Sequence, residues 1–131
     1  MITVILVTNV LNIEIAATRA EKENGLMYRR AWGGTDGMLF INKNPSYVSY
    51  WMKNTYLNLA MYFMDRDLDI LEVYNPLPLS TNIIYSGSSD VEFVLELNPA
   101  LTNILRDSYP VFKKKMLEKL GELSSKINPE D

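Results

Sequence analysis

The chain has 131 residues with no cysteine and no histidine, which excludes disulfides, thiol catalysis and imidazole chemistry. At 47% hydrophobic and 22% charged it has the profile of an ordinary globular protein, and its length makes a single domain. A formal charge of −3 lacks the basic surplus of a general nucleic-acid binder, and structural zinc is ruled out along with its sulfur and imidazole ligands.

Residues 1–8 are apolar but too short to span a bilayer, and they lack the basic start and small-residue cleavage pattern of a signal peptide. The expectation is a cytoplasmic protein that meets no membrane. Leu11, Ile13 and Ile15 alternate with Asn12 and Glu14, which predicts two strands turned near Thr8 and Asn9. Thr18 and Glu21 have capping-box spacing and predict a helix near 18–28, with Gly25 at its end. Arg29 and Arg30 follow, where cations suit the carbonyl terminus of a helix; a two-pronged clamp on phosphate or carboxylate is their other use. The glycine-rich run 33–37 has neither Walker spacing nor a helix after it, so it reads as a turn. Residues 38–41 predict a short apolar strand, and the Asn-Lys-Asn-Pro run at 42–45 a loop.

Residues 47–52 and 57–64 predict the next two strands, with Leu57, Leu59, Met61 and Phe63 on one buried face. Asp65, Asp67 and Asp69 alternate in a turn that lacks the glycine and terminal glutamate of a calcium loop. A strand over 68–74 ends at Pro76 and Pro78. Residues 82–86 and 90–97 predict a hairpin around Gly87, with Val91, Phe93, Leu95 and Leu97 facing inward and Glu92, Val94 and Glu96 the other way. Asn98 followed by Pro99 is a helix start, and a second helix begins near Ser108. Phe112, Met116, Leu120, Leu123 and Ile127 make one apolar stripe along it. Lys113, Lys114 and Lys115 spread around that helix and form no single basic patch. The whole is a mainly β (α+β) single domain of about eight short strands, with a β-rich core over 1–97 and a helical extension over 98–131. A barrel-like closure is expected because it removes edge strands from so small a sheet.

Four blocks taken together, Gly25-Leu26-Met27, Gly37-Met38-Leu39-Phe40, Trp51-Met52-Lys53-Asn54-Thr55 and Val94-Leu95-Glu96-Leu97-Asn98, resemble the domain of unknown function 192 family. These are small conserved bacterial and archaeal proteins with no established activity, and the resemblance runs from about residue 11 to 98. It implies a compact mainly-β domain. The chain departs from the family where Asn58-Leu59-Ala60 stands for the usual proline-leucine-aspartate, keeping only the leucine, and where a helical region follows Asn98 in place of a short glycine-aspartate tail.

The candidate site is the polar Lys53-Asn54-Thr55 step inside an aromatic and aliphatic surround. On a strand, Lys53 would share a face with Trp51 and Thr55, and Asn54 with Met52. In the functional reading the Lys53 ammonium meets a small anionic or polar ligand, Asn54 orients it, and Thr55, Arg29 and Glu96 complete the set. In the structural reading Lys53 pairs with Glu96 and Asn54 closes a turn. The leading expectation is a non-enzymatic ligand-binding or accessory domain with no cofactor, no metal and no nucleic-acid partner. An enzyme using Lys53 with a carboxylate such as Glu96 is the first alternative. The second is an interaction module in which the stripe from Phe112 to Ile127 makes a homodimer or docking contact, though a short helix is marginal unless that face is buried.

Overall fold

The computed structural model describes residues 1–124. Strands β1 (Ile2–Ile5) and β2 (Val10–Ala16) form the first antiparallel pair, with Leu6 N donating to Asn9 O across the turn at 2.7 Å. Helix α1 (Arg19–Asn24) carries a complete capping box: the Thr18 hydroxyl accepts from Glu21 N, and the Glu21 carboxylate accepts from Thr18 N. Gly25 ends it at φ 48°, a left-handed conformation that glycine adopts without strain.

The chain continues through β3 (Gly37–Ser46), β4 (Ser49–Tyr50), β5 (Ala60–Met64), β6 (Ile70–Tyr74), β7 (Ile84–Tyr85) and β8 (Val91–Leu97). After a 3-10 turn at Pro99–Leu101 come α2 (Thr102–Asp107) and α3 (Tyr109–Leu123). The fold is mainly β, with eight strands and three α-helices among the described residues. Six strands make one sheet in the order β1-β2-β3-β8-β5-β6, in which only β2 and β3 run parallel; β4 and β7 form a separate ribbon.

The expected barrel does not close. The sheet is open from β1 to β6, because its faces are covered by further layers and not by its own curvature. One face packs under α2 and α3, where Leu105, Phe112 and Met116 meet Ile13, Leu39, Tyr62 and Leu95. The opposite face, with Met38, Phe40, Met61, Phe63 and Val94, is covered by Leu26, Met52, Leu57, Leu59 and the β4–β7 ribbon. Both faces of β5 are therefore buried, not only the one carrying Met61 and Phe63.

Three other expectations are corrected. Residues 42–45 belong to β3, but the register jumps from Ile41 opposite Phe93 to Ser46 opposite Val91. The excess residues bulge outward, and Pro45 sits where no ladder bond asks for its missing N–H. Of residues 47–52 only Ser49 and Tyr50 are strand, and the chain from 51 to 59 is a loop in which Asn54 takes φ 57°. The hairpin around Gly87 does not form. The Gly87 and Ser88 amides donate to the Glu72 carboxylate at 3.0 and 3.1 Å, which turns β7 toward β4 and leaves β8 to insert between β3 and β5.

The α3 stripe lies against the sheet. Phe112 and Met116 are fully buried, Leu120 and Leu123 pack partly buried beside them, and Ile127 lies outside the described residues. Tyr109 fastens the start of α3 by donating to the Leu68 carbonyl at 2.5 Å, and Lys113 pairs with Asp69. No described helix is long and apolar enough to cross a membrane. Phe112→Ala should lower stability by about 3–5 kcal/mol, because the cavity opens between two layers that cannot both collapse. Lys114→Ala, on the exposed side of the helix, should stay within about 0.5 kcal/mol. Urea titration of both variants measures the difference.

Candidate binding cleft

A cleft of about 640 Å³ opens on the sheet face away from α2 and α3, between α1 with the turn after it and the segment from Ser46 to Trp51. Phe40, Tyr50, Thr55 and Glu96 line it from the protein body, and Arg19, Lys22, Glu23, Tyr47 and Trp51 from the mouth.

Glu96 sits in β8 with Met38 of β3 and Met61 of β5 beside it in register. It is only 5% exposed and, among the described residues, makes no ion pair and no side-chain hydrogen bond. Burial penalises its charged form and pushes its pKa up to about 8, so the carboxyl is mainly protonated at neutral pH. Tyr50 is packed against Phe40 and Phe63, with ring centroids 5.4 and 5.9 Å away. Burial, and then the nearby Glu96, raise its phenol well above the usual range. The Asn42 amide nitrogen is buried without a partner on the same cleft. Thr55 is buried too, its hydroxyl donating to the Lys53 carbonyl at 3.2 Å.

The structure brings together only part of the set expected from sequence. Thr55 and Glu96 line the cleft; Lys53, Asn54 and Arg29 do not. Lys53 is exposed in the 51–59 loop, its Nζ 5.2 Å from the centre of the Trp51 ring, and no Lys53–Glu96 ion pair exists. The strand-based pairing of Lys53 and Thr55 on one face fails with the strand. Asn54 works as a loop tie: its Nδ2 donates to the Tyr28 hydroxyl at 3.0 Å and its carbonyl accepts from Tyr28 N at 2.7 Å. Arg29 is no free clamp, since its guanidinium holds both Glu14 carboxylate oxygens at 2.5 and 3.0 Å, with Thr35 donating to the same group. These bonds, Arg29 first, hold the Glu14 carboxyl below its ordinary range. Arg30 lies 4.1 Å over the Tyr56 ring, and the basic residue in the last turn of α1 is Lys22.

Asp65, Asp67 and Asp69 converge within 4.8 Å, but Asp65 Oδ1 already accepts from Asp67 N and Asp69 N, and Asp69 pairs with Lys113. Sequence reasoning missed Asn42 and Tyr50. Nothing in the local pattern marks Tyr50, whereas Glu96 stands out as an acid inside an apolar strand.

The profile of the DUF192 family, described as "Uncharacterized ACR", matches residues 3–106. A crystal structure from Sinorhizobium meliloti 1021, of a protein described as a "putative transcription regulator", is 38% identical, with a TM-score of 0.68 over 79% of this chain and 82% of that one. A second, of a protein of unknown function from Novosphingobium aromaticivorans DSM 12444, is 30% identical, with a TM-score of 0.66 over 79% of this chain and 75% of that one. No curated protein matches.

The buried carboxyl carries a stability signature. An unfolded chain loses the Glu96 proton near the ordinary carboxyl value of 4.5 and the folded chain near 8, so between these the unfolded state binds fewer protons. Stability should therefore fall as pH rises through this window. Glu96→Gln should remove that slope, gaining on the order of 4 kcal/mol over wild type at pH 8 and little at pH 4. Denaturant midpoints measured from pH 4 to 9 test this.

Proposed function

The chain belongs to the DUF192 family, and from its own geometry we propose that the cleft over Glu96 binds a small polar molecule, the domain serving as a ligand-binding or accessory unit. One observation carries the reading: a carboxyl 5% exposed, bordering the cleft, with no partner among the described residues. Its oxygens are spent on no hydrogen bond within the described residues and open on the cleft, so their acceptor capacity is available to whatever enters it. The unpartnered Asn42 amide supports the same reading. A cleft of about 640 Å³ also falls within the range typical of small-molecule sites.

Binding is favoured over catalysis because Glu96 lacks a coupled second group. The Lys53 of the proposed acid–base pair lies outside the cleft, and the Tyr50 phenol is held too firmly protonated to act as a base. We place the domain in the cytoplasm, in keeping with the expectation from sequence; Ile2 and Val4 of the apolar N-terminal stretch are core residues of a sheet strand.

The two tryptophans provide a built-in comparison, since Trp51 lines the cleft and Trp32 packs elsewhere on the same sheet face. In a small-molecule screen followed by NMR, cleft ligands should shift the Trp51 indole N–H and leave Trp32 in place. Glu96→Leu should weaken them at least tenfold, while Lys53→Ala should change affinity by less than twofold. Equal affinity in wild type and Glu96→Leu would remove the cleft from consideration.

A further inference from the structure

Resting on the reading of the cleft as a binding site, we propose that its ligand is a small organic cation, a primary ammonium or guanidinium held by Glu96 and the aromatic walls. The polar group set deepest in the sheet is an acceptor once ionised, and the described residues supply it with no cation in an ion pair. Beside Glu96, β3 and β5 present Met38 and Met61, and β4 presents the uncharged Tyr50. The remaining charges on the cleft are Arg19, Lys22 and Glu23 of α1, of which Arg19 and Glu23 are exposed and Lys22 half-buried. These leave one net positive charge at a wet mouth, where salt screens it, whereas the buried carboxyl is screened little.

The walls suit the same chemistry. Phe40, Tyr50 and Trp51 line the cleft, and a cation within about 6 Å of an aromatic ring centre is attracted to its face. The molecule already shows this preference at the rim, where the Lys53 ammonium lies 5.2 Å from the Trp51 ring centre.

Binding then proceeds as an exchange of charge partners. The Glu96 O–H bond breaks, its proton leaves to solvent, and the carboxylate accepts N–H bonds from the incoming cation. A bound cation favours the ionised form that burial alone disfavours, so affinity rises with pH until Glu96 is already ionised in the free protein. A carboxylate ligand would show the reverse, because it needs Glu96 to stay protonated as a donor.

Three probes of one skeleton separate these cases: phenethylammonium, phenethyl alcohol and 3-phenylpropanoate. Calorimetry at pH 7 in buffers of different ionisation enthalpy counts the protons exchanged, and the Trp51 indole N–H reports where each probe binds. The expected result is that phenethylammonium binds at least tenfold more tightly than the other two and releases close to one proton. Its affinity should rise at least fivefold from pH 6 to pH 8, and Glu96→Gln should abolish both the preference and the proton release. Alcohol or carboxylate binding at Trp51 as tightly as the ammonium would overturn the cation assignment and leave the cleft a binding site. Silence from all three probes at Trp51, in a wild-type protein whose cleft responds in the broader screen, would overturn it as well.

Discussion

A carboxyl group on a strand bonded along both edges and covered on both faces can reach water only through a gap in one of those covers. That is the position of Glu96, and much of the fold follows from how β8 is enclosed. β3 and β5 flank it on either side, and every residue of β8 except the partly buried Glu92 is removed from solvent. The enclosure is tight at its base. A side chain at Gly37 would bring its Cβ within 2.8 Å of the Glu96 carbonyl oxygen, so β3 must begin on a residue without one.

The gap is set by how the second cover is fastened. Over the face carrying Met38 and Met61 the protein lays irregular chain, and such a layer needs its backbone groups satisfied one by one. Leu79 N donates to Thr55 O at 2.9 Å, Met52 N to Ser80 O at 3.1 Å, and Tyr28 N to Asn54 O at 2.7 Å, which ties three loops together. The Glu14–Arg29–Thr35 cluster anchors the chain after α1 to β2. Its charges act as a fastening, which is why the arginine that looked free in sequence is unavailable to a ligand. What these fastenings leave open, between α1 and the segment before Trp51, is the cleft.

Local chemistry was legible in the sequence wherever it decides the outcome alone. The capping box at Thr18 and Glu21 and the Asn98-Pro99 helix start are satisfied within a few residues of chain, and both stand where expected; the apolar stripe of α3 follows from its own helical period as far as Leu123. Pairing between distant segments was not legible. The apolar runs 82–86 and 90–97 are as good a hairpin as many that form, but the Glu72 carboxylate at the Gly87 turn redirects the first of them. The Lys53 step failed for a related reason: alternation suggests a strand only if a partner strand exists, and Asn54 in a left-handed conformation breaks the run. Glu96 was visible as an acid among aliphatic residues, yet its partner was misjudged, because distance across a loop cannot be read from residue type.

The departures from the family pattern also become intelligible once the faces are known. Ala60 pairs with Leu97 and Met61 with Glu96, and successive side chains on a strand point to opposite faces. Position 60 therefore opens on the side covered by the C-terminal helices, in the same apolar cluster as Phe112 and Met116, while Glu96 opens on the cleft. The family match ends at residue 106, just short of α3 (Tyr109–Leu123). An aspartate at position 60 would lie in that apolar cluster as a buried charge, which is costly without a partner. Alanine at 60 suits this face, which the C-terminal helices cover and which lies away from Glu96. The cleft and its carboxyl, carried by the Val94-Leu95-Glu96-Leu97 block that the chain shares with the family pattern, are untouched by it.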